Sequence, residues 1–201
     1  MDINIFRPSV GGWLERKLSD VEMNHLWECV ADQSPISMKP YLAAQNYDSR
    51  LLEDKNDLFF KNVLGPLCDV FGSELGNMGD RIIETWKPYK LNEMWVNYQK
   101  EGEFIPNHQH PGIYSFVVWM KIPYDHKEQN KDNKSSAKFI STFQMCYSTV
   151  TGQTRCSNYN LGPEYEGTML LFPSQMMHQV YPFYNCKETR ISISGNISFD
   201  F

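Results

Sequence analysis

Residues 106–122 read Pro106-Asn107-His108-Gln109-His110-Pro111-Gly112-Ile113-Tyr114-Ser115-Phe116-Val117-Val118-Trp119-Met120-Lys121-Ile122. Beyond Gly112 the run is rich in β-branched and aromatic residues, the composition of a β-strand. Just before it, His108 and His110 stand two apart. On an extended strand such residues point to the same face, so their rings can converge. Runs of similar character cover 94–98, 139–147, 168–172, 177–181 and 190–199, punctuated by Gly, Pro and Asn. This rhythm predicts an antiparallel β-domain of at least seven short strands, in a sandwich or jelly roll. Such a fold offers a mouth where inward side chains of several strands meet.

The part before residue 93 reads differently. Ser19 or Asp20 can cap a helix carrying Val21, Met23, Leu26, Trp27 and Val30 at helical spacing, with Leu18 packing back on it. A second helix is expected from about Asp54 or Asn56 through Leu58, Phe59, Val63, Leu64, Leu67, Val70 and Phe71. Gly65-Pro66 interrupts it, and Gly72 or Gly76 ends it. Residues 34–54 read as loop with room for one short strand, and the charged stretch 125–136 as a mobile loop. The expected class is α+β, mainly β, in a single domain 1–201. Residues 1–92 form a helical part that packs on a β-core of residues 93–201.

Composition narrows the function. The 201 residues carry a net charge of −5 and no basic run, so no nucleic-acid footprint is visible. Met1 to Pro8 lacks the basic and apolar regions of a signal peptide. No stretch approaches the roughly 20 apolar residues of a membrane span. The five cysteines are scattered, with no Cys-x-x-Cys pair, as expected for reduced thiols in a cytoplasmic protein. His25, on the first helix, and His126, in the charged loop, are expected to be structural or solvated.

The remaining histidine, His178, follows the apolar run 169–172 and a Pro-Ser turn. It can complete a triangle with His108 and His110. Neutral imidazoles with open positions beside them suit a divalent transition metal, iron among them. Arg190 and Ser192 share a face of the next strand and can hold a carboxylate, since the guanidinium fork matches both its oxygens. Tyr98, ten residues before His108, is a candidate phenolic donor to the same anion. Tyr114, Phe116, Trp119, Met120, Met169, Met176 and Met177 fit strand faces as core, with Tyr114, Met176 and Met177 also candidates for a substrate entry.

The blocks 103–112, 171–174, 178–183 and 190–194 resemble the 2-oxoglutarate/Fe(II)-dependent dioxygenases. Within these, the chain is most similar to a prolyl-hydroxylase-like, His-x-His-Pro branch of bacteria and tailed phages. The resemblance spans residues 94–198. It implies a double-stranded β-helix, a jelly roll preceded by packing helices. It implies Fe(II), 2-oxoglutarate and O2, with metal ligands His108, His110 and His178, and Arg190 helped by Ser192 at the co-substrate. The wider superfamily carries Asp or Glu where this chain has His110, so His110 is either a ligand or a group that orients the co-substrate or a water.

The activity expected from this resemblance is hydroxylation of a C–H bond, with succinate and CO2 as co-products. The substrate would be a peptide, prolyl by analogy, or a small molecule. The expected compartment is the cytoplasm, that of the host if a phage encodes the chain. Two other readings stay open: a cupin-type three-histidine dioxygenase that needs no 2-oxoglutarate, and a non-enzymatic jelly-roll module.

Overall fold

A computed structural model describes residues 11–76 and 87–200. The segment read for a signal peptide lies outside them. Among the described residues ten strands form two antiparallel sheets. They are β1 (Leu14–Lys17), β2 (Asp48–Leu52), β3 (Tyr89–Gln99), β4 (Ile105–His108), β5 (Tyr114–Lys121), β6 (Thr142–Ser148), β7 (Thr154–Asn160), β8 (Thr168–Pro173), β9 (Met177–Val180) and β10 (Arg190–Phe199). The larger sheet runs β1-β8-β5-β10-β3-β2 and the smaller β4-β9-β6-β7. The six expected strands are all present. The part expected to be helical also supplies β1 and, within residues 34–54 where one short strand is expected, β2; the two extend both edges of the larger sheet. The sequence of β1, LERK, is too short and polar to carry a clear alternation.

Helix α1 (Asp20–Ala31) begins at Ser19, whose side chain accepts from the Glu22 amide while the Glu22 carboxylate accepts from the Ser19 amide, a complete capping box. Its buried stripe is Leu26, Cys29 and Val30; Val21 is 79% exposed, off the face assigned to it. The second helix opens on Asp54, whose carboxylate accepts from the amides of Phe59 and Phe60. Gly65-Pro66 does not break it. Pro66 has no N–H to give to the preceding turn, and the chain widens there into a π-turn (Phe60–Leu64) before α2 (Gly65–Leu75). The stretch 125–136 is more ordered than its charge suggests. Asp125 caps the short α3 (His126–Gln129), and Asn130 donates to the Ile140 carbonyl.

The larger sheet separates two cores. On its outer face α1, the π-turn with its flanking Phe59, and α2 pack Leu26, Phe59, Leu64 and Phe71 against Met94, Val96, Phe116 and Ile193. Between the sheets lie Val117, Trp119, Phe143, Met145, Leu170 and Phe172. Because strand side chains alternate, β3 sends Met94, Val96 and Tyr98 to the helices and Trp95, Asn97 and Gln99 between the sheets. Gly195 lets β10 pass its neighbours, since a Cβ there would stand 2.5 Å from the Phe116 ring and 2.6 Å from the Glu93 carbonyl. Tyr114 is fully buried among Phe71 and Tyr89 on the helical side and does not line the cavity between the sheets, so it is core rather than substrate entry.

Candidate metal centre

The smaller sheet brings two of the histidines together. His108 ends β4 and pairs directly across from His178 on β9. Their ring centroids are 4.2 Å apart. His110 lies past the end of β4. Its amide donates to the Ser174 carbonyl at 2.8 Å, and its ring stands 4.9 Å from that of His108 and 5.1 Å from that of His178. So the three converge, although the pair does not share one strand as its spacing suggests. Gly112, at φ +110°, turns the chain back, and a Cβ there would meet the Ile197 carbonyl at 2.9 Å.

One ligand atom from each histidine lies within 4.8 Å of the others. The rings are oriented from behind. Nδ1–H of His108 donates to the Pro106 carbonyl at 2.8 Å, and Nδ1–H of His178 to the Met176 carbonyl at 2.9 Å. Each bond fixes the tautomer and leaves the Nε2 lone pair free for a metal. Burial lowers the basicity of all three rings, that of His110 to about 4 and that of His178 to about 3, with the neighbouring histidines adding to the last two. At neutral pH the cluster is a set of uncharged nitrogen donors, which suits Fe(II). The donor set holds no carboxylate. Among the described residues, the other His/Cys/Asp/Glu group with convergent donors is His25, Cys29 and Asp54, where His25 braces the Asp54 that opens the second helix.

A cavity of about 240 Å³ runs from the histidines between the sheets to Arg190. Arg190 is only 3% exposed, so it is not an edge-strand surface charge. Its guanidinium donates to the Tyr124 hydroxyl at 2.6 Å and to the Gln99 side-chain oxygen, and it lies over the Phe183 ring at 5.4 Å. Ser192 and Ser194 line the cavity above it, opposite Asn97 and Trp95. Among the described residues no acid forms an ion pair with Arg190, so the cavity holds a buried cation with room for an anion.

Tyr98 does not join this group. It faces the helices, and its hydroxyl donates to Gln33 at 3.0 Å. The phenol that does touch Arg190 is Tyr124, beyond the end of β5, and its carboxamide partner is Gln99, one residue on from Tyr98 and therefore on the opposite face. Neither stands out in the sequence as a site residue: strand parity relative to Tyr98 is the one signal for Gln99, and Tyr124 has none.

The fold recurs among solved structures. The chain aligns with a 2OG-Fe(II) oxygenase-family oxidoreductase from Burkholderia pseudomallei at TM-score 0.54 and 14% identity, over 93% of this chain and 85% of that one. It aligns with a prolyl-4-hydroxylase from Pseudomonas putida at TM-score 0.53 and 14% identity, over 92% and 91%. It also aligns with a viral collagen prolyl hydroxylase from Paramecium Bursaria Chlorella virus-1, solved as its 2OG complex, at TM-score 0.51 and 13% identity, over 92% and 94%. These likenesses show the double-stranded β-helix. No curated relative matches the sequence. Residues 93–196 match the family model described as "Putative 2OG-Fe(II) oxygenase". The matched span is more than half of the chain and contains the histidine cluster, Arg190 and Ser192, and it is on this ground that the chain belongs to the 2OG-Fe(II) oxygenase family, as an oxidoreductase that works with Fe(II), 2-oxoglutarate and O2.

Proposed function

We propose that His108, His110 and His178 hold the Fe(II) through Nε2, and that Arg190 and Ser192 anchor the distal carboxylate of 2-oxoglutarate. When bound, iron, 2-oxoglutarate and O2 supply hydroxylation of an unactivated C–H bond, with succinate and CO2 as co-products. The chain's own contribution is placement. The carbonyls of Pro106 and Met176 keep the ligating rings aimed. Tyr124 and Gln99 keep the guanidinium aimed along the cavity. Phe143, Phe172, Val117 and Val180 wall the space between and exclude water until a substrate arrives. With three neutral imidazoles, Fe(II) and the dianion of 2-oxoglutarate sum to no net charge. A carboxylate at position 110 would leave one negative charge.

The substrate is a peptide, prolyl by fold-level analogy, or a small molecule. No described helix is long and apolar enough to cross a membrane. The buried free thiols of Cys29 and Cys68 suit a reducing cytoplasm.

The convergence of the three ligand atoms, with two rings pinned from behind, carries this reading. Anaerobic mixing of the protein with Fe(II) and 2-oxoglutarate tests it. A weak visible band near about 500 nm is expected, lost in His178→Ala. Full iron occupancy without that band would overturn the assignment.

A further inference from the structure

The facing pairs of β3 and β10 form a ladder down one wall of the cavity. Arg190 stands opposite Gln99, Ser192 opposite Asn97, Ser194 opposite Trp95 and Asn196 opposite Glu93. The first rung is the buried cation. The third lies level with the histidines, because the Trp95 ring is 5.8 Å from that of His110. The fourth carries an acid. Glu93 lines a second cavity that shares Tyr41, Leu42, His110 and Pro111 with the first, so the two meet at the metal centre.

Glu93 is held in place rather than free to swing. Buried Ser115 donates to the side-chain oxygen of Asn196 at 2.7 Å, and Asn196 donates to one Glu93 carboxylate oxygen at 2.7 Å. The ion pairs among the described residues do not include Glu93. An oriented, half-buried carboxylate beside Met38, Leu51 and Pro111 favours a cation that brings its own apolar stem.

We propose that the primary substrate presents an ammonium or guanidinium group to Glu93, on the side of the histidines away from Arg190. This rests on the placement of iron and 2-oxoglutarate proposed above. It assigns opposite ends of one ladder to opposite charges: the dianionic co-substrate to Arg190, the cationic substrate to Glu93. One rung spans about 6.6 Å, so the carbon presented beside His110 lies roughly four or five bonds from the charged atom, the reach of a lysine or arginine side chain.

The test uses the full chain loaded with Mn(II) and 2-oxoglutarate, titrated calorimetrically with Nα-acetyl-arginine amide and with its neutral isostere Nα-acetyl-citrulline amide. The arginine probe should bind about tenfold tighter or better. In Glu93→Gln, which keeps an oxygen for Asn196 to bond, that preference should shrink to about twofold or less. Equal affinities in the wild type, binding of neither probe, or a preference that survives Glu93→Gln each overturn the inference while the 2-oxoglutarate reading stands. Failure of 2-oxoglutarate itself to bind, measured first in the same cell, removes that reading and this inference with it.

Discussion

His108 and His178 are mirror partners: they face each other across β4 and β9, and each ring donates Nδ1–H to the carbonyl two residues upstream, Pro106 for one and Met176 for the other. The same ring-to-carbonyl bond is thus used twice to orient two facing donors. Neither ring can rotate away without leaving a buried N–H unpaired, which costs about 1–3 kcal/mol.

His178→Ala should therefore lose metal affinity by about 100-fold or more, since removing only a group that hydrogen-bonds a ligating ring costs about 10–100-fold. Fe(II) or Mn(II) titration measures this. Retained affinity would show that His178, though buried and central, is not a ligand.

His110→Asp and His110→Ala divide the two roles open to that residue. Aspartate can ligate and adds a negative charge, so His110→Asp should keep iron binding and 2-oxoglutarate decarboxylation, while His110→Ala loses both. If His110→Ala holds iron as well as the wild type, His110 only orients what binds beside the metal.

Arg190→Ala should leave iron bound and weaken 2-oxoglutarate by roughly 10–100-fold, the worth of a charge-assisted bond of about 1.5–3 kcal/mol. Tyr124→Phe, which removes one bond to the guanidinium, should cost several-fold, about 1 kcal/mol. Tyr98→Phe should change 2-oxoglutarate affinity by less than about twofold, since its hydroxyl is engaged with Gln33 on the other side of the sheet. Direct titration with 2-oxoglutarate ranks the three.

Without metal, the fold should weaken in mild acid. His110 and His178 bind protons less readily when folded, at about 4 and about 3 against 6.5 for the free side chain. The unfolded chain thus takes up protons first, and stability present above about pH 6.5 falls as pH drops toward 4. Thermal melts of metal-free protein should fall by at least about 5 °C across that window. A flat profile would mean that the rings charge as easily inside as outside.

The β-core was legible because its strands are runs of Val, Ile, Phe and Trp, with one continuous block, Tyr114–Lys121, buried almost throughout. β7 was not: TRCSNYN is a largely exposed edge strand with no apolar face to betray it. The histidines and Arg190 stood out by residue type and spacing. What Arg190 touches did not, because Tyr124 reaches it from 66 residues away along the chain, a contact only tertiary packing creates. Val21 and Trp27 misled for a related reason: helical periodicity shows that a stripe exists, while its edges depend on where the sheet lies.

The buried guanidinium of Arg190, the cavity-lining Ser192 and Ser194, and Asn196, which braces Glu93, all sit on one strand, β10, at positions 190, 192, 194 and 196. Their separations come only in steps of two residues, since a slip by one would turn every one of them toward the helices. An enzyme measured out this way cannot stretch to suit a longer or shorter reactant. Descendants that change their chemistry must do so by replacing what hangs on a rung, never by moving the rungs.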